Sequence, residues 1–298
     1  MPELPEVETV KRGLQPVMEG AVIDCVNLRR PDLRFPFPSG LGERMAGETI
    51  TALGRRAKYL LISLSNGRVA VSHLGMSGSW RIENVKDEAG TLAKLYHERA
   101  ILTVHDHIVI DLTGRDGQSY RVIYNDPRRF GFFFDEASNE LPFTKHFAGL
   151  GVEPTGNALT ADYLAGAFAD KSTSLKAALL DQRIIAGLGN IYVCEALWRS
   201  GLSPRRAAST LVKKNGKATA RLQALTGHIR DVIAEAIEAG GSSLRDHRQA
   251  DGSLGYFQHN FSAYDQADEP CKRETCDGTI KRIVQNGRST FYCSTCQR

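Results

Sequence analysis

The chain ends in CKRETCDGTIKRIVQNGRSTFYCSTCQR, residues 271–298. Its four cysteines form two close pairs, with four residues inside the first pair, two inside the second and 16 between the pairs; they are Cys271, Cys276, Cys293 and Cys296. Four thiolates at such spacing are the ligand set of a closed tetrahedral zinc site. The sequence therefore predicts one structural Zn²⁺ with no coordination position left open for catalysis.

A hairpin is expected between the two cysteine pairs. Asn286-Gly287 is a strong signal for a type I′ turn, and the residues on either side are suited to strands. We therefore expect a zinc-finger β-hairpin over residues 265–298, with Arg288 near its tip. The two remaining cysteines, Cys25 and Cys194, lie in apolar stretches and are expected to be buried.

Composition limits the classes of protein that this chain can be. It has 298 residues, of which 42% are hydrophobic and 24% charged, and this is the composition of a globular protein with more than one core. No apolar run reaches the roughly 18–20 residues of a membrane helix, and the acidic start does not resemble a signal peptide. We expect neither membrane insertion nor secretion, and the thiol-rich end favours a reducing cytoplasm.

Hydrophobic periodicity changes along the chain. From about residue 21 to 135, short β-branched runs alternate with turn pairs such as Asn66-Gly67, which is typical of an antiparallel sandwich or barrel. After a Gly/Pro-rich stretch the period becomes helical, most clearly over 211–239. We predict a β-sandwich domain with an N-terminal helix (1–148), a linker (149–157), a helical domain (158–264) and the zinc hairpin (265–298).

The N-terminus has the composition of a nucleophilic site. Pro5 and the acidic residues after it favour a helix start, so Pro2 and Glu3 lie just before a positive helix end. Removal of Met1 would give Pro2 a free secondary amine, which can attack an aldehyde-like carbon, and Glu3 could carry protons for the same centre. The alternative is that Met-Pro-Glu is merely an acidic lead into the helix.

The opening MPELPEVET resembles the formamidopyrimidine-DNA glycosylase family, whose bifunctional members excise oxidised purines and then cut the strand. The resemblance recurs in the family's order across nearly the whole chain. Its further segments are RRAKYLL (55–61), HLGMSG (73–78), HDH (105–107), NDPRRFG (125–131), GLGNIY (187–192) and the terminal cysteines. It implies an α+β multidomain fold with an N-terminal antiparallel β-sandwich, a helical domain with a helix–two-turn–helix, and a C-terminal zinc-finger β-hairpin.

The resemblance also implies roles for individual residues. Pro2 would be the nucleophile, Glu3 would manage protons, and Lys58 and Arg288 would assist the elimination steps. DNA would be contacted by seven further residues: His73, Met76, His105, Arg128, Phe130, Lys171 and Asn190. Among these, Met76 and Phe130 would fill the space left by an everted nucleotide, while Arg128 would pair with the orphaned cytosine.

Each of these residues also has a purely structural interpretation. Histidines are commonly satisfied within a fold, methionine and phenylalanine commonly pack in cores, and lysine or arginine at a strand end is commonly solvated. The first cysteine pair departs from the family, which more often has two intervening residues. The segment from Ser242 to Tyr256 resembles the region that covers the everted base, without indicating which atoms recognise it.

The sequence thus predicts a DNA glycosylase and apurinic/apyrimidinic lyase acting on double-stranded DNA that contains oxidised purines. We expect a monomer in the cytoplasm, associated with a bacterial-type nucleoid. The alternatives are an endonuclease VIII-like enzyme for oxidised pyrimidines and a catalytically silent, zinc-dependent DNA-binding protein. The net charge of +4 equals the surplus of residues 271–298 alone, where six basic residues face two acidic ones, so we expect phosphate attraction to centre on the hairpin.

Overall fold

The computed structural model describes residues 2–84, 103–242 and 255–298, and the chain divides into two compact units. The sandwich unit comprises residues 1–148 with 239–256, and the helical unit comprises 149–238 with 257–298. The four-part division predicted from the sequence, with boundaries after residues 148, 157 and 264, stays a prediction. The fold class is confirmed, since a β-sandwich, a helical domain and a zinc-finger hairpin are all present.

The described part of the sandwich unit contains two antiparallel four-stranded sheets. One sheet has the order β1-β6-β7-β5 and the other the order β2-β3-β4-β8. The strands are β1 (Val22–Leu28), β2 (Ile50–Arg56), β3 (Tyr59–Leu64), β4 (Arg68–His73), β5 (Ser79–Asn84), β6 (Asp106–Thr113), β7 (Ser119–Asn125) and β8 (Phe132–Ala137). Alternation in β3 shows how sequence sets the faces, because Leu60, Ile62 and Leu64 are buried and the residues between them are not.

Helix α1 (Leu4–Met18) contributes to the core of this unit. Its stripe of Val7, Val10, Leu14 and Met18 is buried and packs in the same cluster as the inner faces of the strands. A short helix, α2 (Leu41–Met45), lies beside β1. Because α1 is fixed by this apolar stripe, the residues that precede it have a defined position.

The helical unit contains four α-helices and the zinc hairpin. The helices are α3 (Ala161–Phe168), α4 (Leu175–Leu180), α5 (Asn190–Arg199) and α6 (Ala220–Glu238). Thr160 and Ser174 cap α3 and α4 by accepting hydrogen bonds from backbone N–H groups of the first turn. Along α6, six residues of the apolar stripe are buried: Leu222, Leu225, Ile229, Val232, Ile233 and Ala236.

The hairpin pairs β9 (Ile280–Gln285) with β10 (Arg288–Cys293). Arg288 lies opposite Gln285, so Asn286 and Gly287 form the two-residue turn, and their φ angles of 49° and 73° are those of the expected type I′ geometry. Cys194 is buried as expected, but Cys25 is exposed, because strand β1 directs it away from the core. No helix among the described residues is both long enough and apolar enough to cross a membrane.

Candidate active site, zinc centre and nucleic-acid contacts

Pro2 and Glu3 are both buried at the start of α1. Glu3 is the N-cap residue, with extended backbone angles, and its N–H donates to Oε2 of Glu6 at 2.7 Å. This contact belongs to a capping box, in which the third helical residue satisfies the backbone donor of the cap. The helix dipole stabilises negative charge at this end, so the Glu3 carboxylate and the backbone of Pro2 lie together in a site that is nearly closed to water.

The Glu6 carboxylate also holds a second segment of the sandwich unit. Its Oε1 accepts hydrogen bonds from the backbone N–H and from the hydroxyl of Ser242, both at 2.9 Å. Ser242 forms an isolated bridge with Tyr256, whose N–H donates to the carbonyl of Ala239. The segment predicted to cover the everted base runs from Ser242 to Tyr256, and its residues 243–254 lie outside the described residues. Glu6 contacts the first residue of this segment, Ser242.

Lys58 occupies the tip of the β2–β3 hairpin. Arg56 pairs with Tyr59, so Ala57 and Lys58 form a two-residue turn, and Ala57 has a φ of 52° in the left-handed region. Strained backbone of this kind occurs frequently at functional sites. The Lys58 side chain is only 8% exposed, so it differs from the solvated strand-end lysine that the structural interpretation predicted.

His73 ends β4 and supports the loop that follows. Its ring stacks on Phe132 with centroids 4.9 Å apart, and its Nδ1 accepts the N–H of Gly75 at 3.0 Å. Burial, followed by the positive charge of Lys58, lowers the pKa of His73 to about 4. The imidazole is therefore neutral at neutral pH, and the accepting Nδ1 requires its proton to reside on Nε2.

Two loops carry the residues predicted to enter the DNA, namely 74–78 and 126–131. Met76 and Phe130 are 38% and 43% exposed, so neither packs in the core. The Arg128 guanidinium lies 4.8 Å from the centroid of the Phe130 ring. Two apolar side chains and a cation are thus presented to solvent, which is the chemical combination that an insertion wedge requires.

The Asp126 side chain connects the two loops through hydrogen bonds on their buried side. Its carboxylate is fully buried; Oδ1 accepts from the Ser77 hydroxyl at 2.6 Å, and Oδ2 accepts from the Gly131 N–H at 2.8 Å. Gly75 fits only without a side chain, because a Cβ there would lie 2.3–2.6 Å from the backbone of Phe130 and Gly131. The loops therefore form one interlocked element, which we call the reading loops.

His105 supports the same element through its backbone. It ends a 3₁₀ turn (Thr103–His105), and its carbonyl accepts the Asp126 N–H at 3.0 Å. His107, which is buried, contacts the Asp126 carbonyl through Nε2 at 2.9 Å. The His105 side chain, which was predicted to contact DNA, is half-buried next to the reading loops.

In the helical unit, Asn190 contacts the hairpin strand that begins at Arg288. The Nδ2 of Asn190 donates to the Ser289 carbonyl at 2.9 Å. Lys176, only 1% exposed, donates to the same carbonyl at 2.9 Å and to the Thr290 hydroxyl at 2.6 Å. Gly189 is the N-cap of α5, and the Asn190 side chain instead contacts the hairpin.

Lys171 lies in the loop between α3 and α4, within the same unit. It is half-buried, and its carbonyl accepts the N–H of Ser209 at 3.1 Å. The Arg288 side chain is exposed at the hairpin tip. Lys171 and Asn190, predicted to contact DNA, and Arg288, predicted to assist the eliminations, therefore belong to one compact unit.

The four terminal cysteines meet as the zinc prediction requires. All four Sγ atoms lie within 4.8 Å of one another, with 3.7 Å between Cys271 and Cys296 and 3.6 Å between Cys276 and Cys293. Tetrahedral coordination with Zn–S bonds of about 2.3 Å gives sulfur–sulfur separations of about 3.8 Å. The donor set therefore fits one structural zinc ion.

Second contacts orient the thiolates. Trp198 Nε1 donates to the Cys271 sulfur and the Gly278 N–H to the Cys276 sulfur, both at 3.4 Å. Residue 278 must be glycine, because a Cβ there would lie 2.7 Å from the Cys293 sulfur. The wider first cysteine pair is thus accommodated without loss of the cluster.

Sequence reasoning did not identify four positioning residues, namely Glu6, Ser77, Asp126 and Lys176. Glu6 had a usable signal, since a Glu three residues after a helix cap is the capping-box pattern. Asp126 and Ser77 stood inside matched segments without an assigned role. Lys176 had no signal, because its partners Ser289 and Thr290 are more than 100 residues away in sequence.

Comparison with known domain families gives three matches along the chain. Residues 1–133 match the formamidopyrimidine-DNA glycosylase N-terminal domain, residues 150–248 match the H2TH domain of the same enzymes, and residues 268–298 match the zinc finger found in these glycosylases and in isoleucyl-tRNA synthetases. The chain is 62% identical over 301 residues to the formamidopyrimidine-DNA glycosylase of Chelativorans sp. (strain BNC1) and 61% identical over 299 residues to that of Agrobacterium fabrum. Each alignment covers both proteins completely.

Solved structures agree with these relatives. The MutM (Fpg) protein of Thermus thermophilus is 34% identical, with a TM-score of 0.80 over 99% of this chain and 98% of its own. Wild-type Lactococcus lactis Fpg, solved with DNA containing N7-benzyl-Fapy-dG, is 30% identical, with a TM-score of 0.82 over the whole of both chains.

Proposed function

Because the chain belongs to the formamidopyrimidine-DNA glycosylase family, we propose that Pro2 provides the amine with which this DNA glycosylase and apurinic/apyrimidinic lyase attacks a damaged nucleotide. The observation that carries the proposal is the burial of Pro2 and Glu3 at the N-terminus of α1. Burial disfavours the protonated amine and so favours the nucleophilic form. The enzyme class itself follows from the family, whereas the roles of individual residues are proposals.

In the proposed reaction, the Pro2 nitrogen forms a bond to the sugar C1′ while the bond from C1′ to the oxidised purine breaks. Glu3 protonates the ring oxygen as the sugar opens, which leaves an iminium on Pro2. Loss of a proton from C2′ then expels the 3′ phosphate, and a second elimination expels the 5′ phosphate. Lys58, buried in the sandwich unit, and Arg288, at the hairpin tip, assist these eliminations.

Recognition of the lesion is assigned to the reading loops. Eversion of a nucleotide leaves a hole and an unpaired partner base, which costs a few kcal/mol. Met76 and Phe130 fill the hole, and Arg128 donates to the acceptors of the orphaned cytosine. Their exposure, and the rigidity that Asp126 imposes beneath them, support this assignment.

Backbone contacts complete the proposal. His73 and His105 contact the DNA beside the reading loops, and Lys171, Asn190 and Arg288 bind phosphates from the helical unit. Zinc fixes the hairpin that carries Arg288 and takes no part in the chemistry. We further propose that the protein acts as a monomer on oxidised double-stranded DNA and resides with the nucleoid in the bacterial cytoplasm.

Borohydride trapping tests the proposal. The protein, with its N-terminal mass measured to establish that Met1 is removed, is incubated with duplexes containing 8-oxoguanine, formamidopyrimidine or thymine glycol. We expect a covalent complex with the two purine lesions and a much lower yield with Pro2→Gly, whose N-terminal amine is primary and less constrained, while Pro16→Ala, at an exposed proline in the same helix, traps as the wild type does. A Pro2→Gly variant that cuts at the wild-type rate would refute the role of Pro2.

The same experiment addresses the two alternatives. Trapping confined to thymine glycol would indicate the oxidised-pyrimidine activity, which the named relatives do not favour. Binding of damaged DNA without any trapped complex would indicate the catalytically silent zinc protein.

A further inference from the structure

A second basic segment lies outside every residue assigned so far. Residues 203–221, SPRRAASTLVKKNGKATAR, contain six basic residues and no acidic one. Their charge of +6 exceeds the +4 of the whole chain, so the remainder of the protein is slightly acidic. A positive segment of this density within an otherwise balanced chain indicates a polyanionic partner.

Three lysines of this segment are held in one exposed turn, which we call the lysine turn (residues 213–217). The Lys213 N–H donates to the Lys217 carbonyl at 2.8 Å, and the Gly216 N–H donates to the Lys213 carbonyl at 2.9 Å. The side chains of Lys213, Lys214 and Lys217 are all exposed. No carboxylate of the described residues lies within ion-pair distance of them, so their charge is available to a partner.

The basic segment begins beside a proposed DNA contact. Ser209 donates its N–H to the carbonyl of Lys171 at 3.1 Å, and Ala208 donates to Thr173 at 3.0 Å. The lysine turn starts four residues after Ser209, hence within about 14 Å of it at 3.3–3.6 Å per residue. That distance corresponds to about four base pairs at 3.4 Å each, so a duplex bound at Lys171 extends within reach of the turn.

We propose that the lysine turn binds the sugar-phosphate backbone of duplex DNA beyond the nucleotides that flank the lesion. The proposal rests on the proposed phosphate contacts of the helical unit. Lysine, asparagine and glycine at the turn offer point charges without the aromatic or aliphatic anchors of a protein interface. Such a surface recognises phosphates without reading bases, and it lengthens the DNA segment that the enzyme covers.

Binding by the lysine turn would depend on salt concentration. Each phosphate neutralised adds about 0.9 to the slope of log affinity against log salt, which is about an eightfold gain in affinity at 0.1 M salt. If each lysine of the turn contacts one phosphate, the slope changes by about 2.7 when all three are neutralised. A purely local effect on folding would not change this slope.

The test measures binding of full-length enzyme to a duplex carrying an abasic-site analogue, with the flanks shortened stepwise from either end. Wild-type affinity should fall in a step as one particular flank is removed. A K213Q/K214Q/K217Q variant should be weaker by about tenfold or more on the longest duplex, show a smaller salt slope, and lack that step. On the shortest duplex, both proteins should bind equally and cut an 8-oxoguanine lesion equally.

Arg115→Gln is the control for the triple variant, because it removes an exposed positive charge from the sandwich unit. Arg115 is exposed in the β6–β7 turn, and the seven residues of β7 separate it from Asp126 by about 23 Å. It should leave affinity and salt slope unchanged.

Equal affinity of the triple variant and the wild type on the longest duplex would overturn the inference, as would a loss that is independent of flank length. Failure of the proposed function has a different signature, since the wild type would then neither cut nor trap on any duplex.

Discussion

The hydroxyl of Ser77 donates to Oδ1 of Asp126 at 2.6 Å, and through this contact the loop bearing Met76 is fixed to the loop bearing Arg128 and Phe130. The two residues are 49 positions apart in sequence, and the carboxylate also receives the Gly131 N–H. Inserting Met76 and Phe130 between bases requires the bases to unstack, which costs free energy. Because the two loops are already fixed, little further binding free energy is lost in ordering them. Asp126 is accordingly a positioning residue for recognition.

Asp126→Ala should impair recognition and stability together. The substitution leaves the Ser77 hydroxyl and the Gly131 N–H without their acceptor, and each buried donor left unsatisfied costs about 1–3 kcal/mol. Ser77→Ala removes one hydrogen bond to the carboxylate, worth about 1.5–3 kcal/mol, and Oδ1 keeps the Arg128 N–H as a donor, so this variant should cost less than Asp126→Ala. Denaturant unfolding measures the loss of stability in both variants. The ratio of excision rates for a lesion opposite cytosine and opposite adenine measures discrimination, and this ratio should fall more in Asp126→Ala than in Ser77→Ala. Unchanged discrimination in a folded Asp126→Ala protein would contradict the positioning role.

Glu6→Gln should lower the rate of base excision by about tenfold or more, because it disturbs the N-terminus and Ser242 at once. An amide offers one accepting oxygen where the carboxylate offers two, so one of its donors must face an NH₂ group. Ser242→Ala removes only the hydroxyl contact and should be milder. Single-turnover excision compares the two with Glu43→Gln, an exposed glutamate of α2 that should behave as the wild type. A wild-type rate for Glu6→Gln would show that the capping carboxylate is dispensable.

Local patterns predicted much of this fold, and long-range contacts account for what they missed. The apolar run at residues 59–64 predicts a strand and the period at residues 161–168 predicts a helix, and the structure has β3 and α3 at these positions. The helix predicted from 211 begins only at Ala220, because the lysine turn and its left-handed Gly216 interrupt a continuous apolar stripe. Strand β8 was not predicted, since its run of phenylalanines does not alternate in polarity.

Local sequence patterns also identified only part of the candidate site. Motif resemblance selected Pro2, Glu3 and the cysteines, because their spacing along the chain is enough to indicate their chemistry. Glu6 and Ser242, by contrast, are 236 positions apart, and no periodicity in either segment indicates that they meet. Hydrogen bonds of this kind depend on the packed fold, so they become visible only once the helices and sheets are placed.

Stability should fall with acidity as His73 becomes protonated. Its pKa is lowered from 6.5 to about 4 in the folded protein, so the unfolded chain binds the proton more readily in that interval. The contribution of His73 is therefore complete above about pH 6.5 and is lost as the pH falls toward 4, with a slope of at most about 1.4 kcal/mol per pH unit. Urea unfolding across this range measures the slope.

His73→Asn serves as the control for that titration, because its side-chain oxygen can still accept the Gly75 N–H and does not titrate. Burial also lowers the pKa of His107 and His146, so the variant should retain part of the slope. Identical slopes for the variant and the wild type would mean that His73 is not the group responsible.

Removal of zinc should abolish strand cleavage while leaving the sandwich unit folded. Bound zinc would cross-link the four cysteine sulfurs, and its removal takes away the bonds that fix the hairpin presenting Arg288. Chelation should therefore release one zinc ion per chain, measured by elemental analysis, and loss of DNA binding should follow the release and reverse on addition of Zn²⁺. Cys271→Ser should behave like the chelated protein, whereas Cys25→Ser, at an exposed cysteine outside the cluster, should retain metal and activity. Full activity in a metal-free protein would show that the hairpin keeps its shape through β9 and β10 alone.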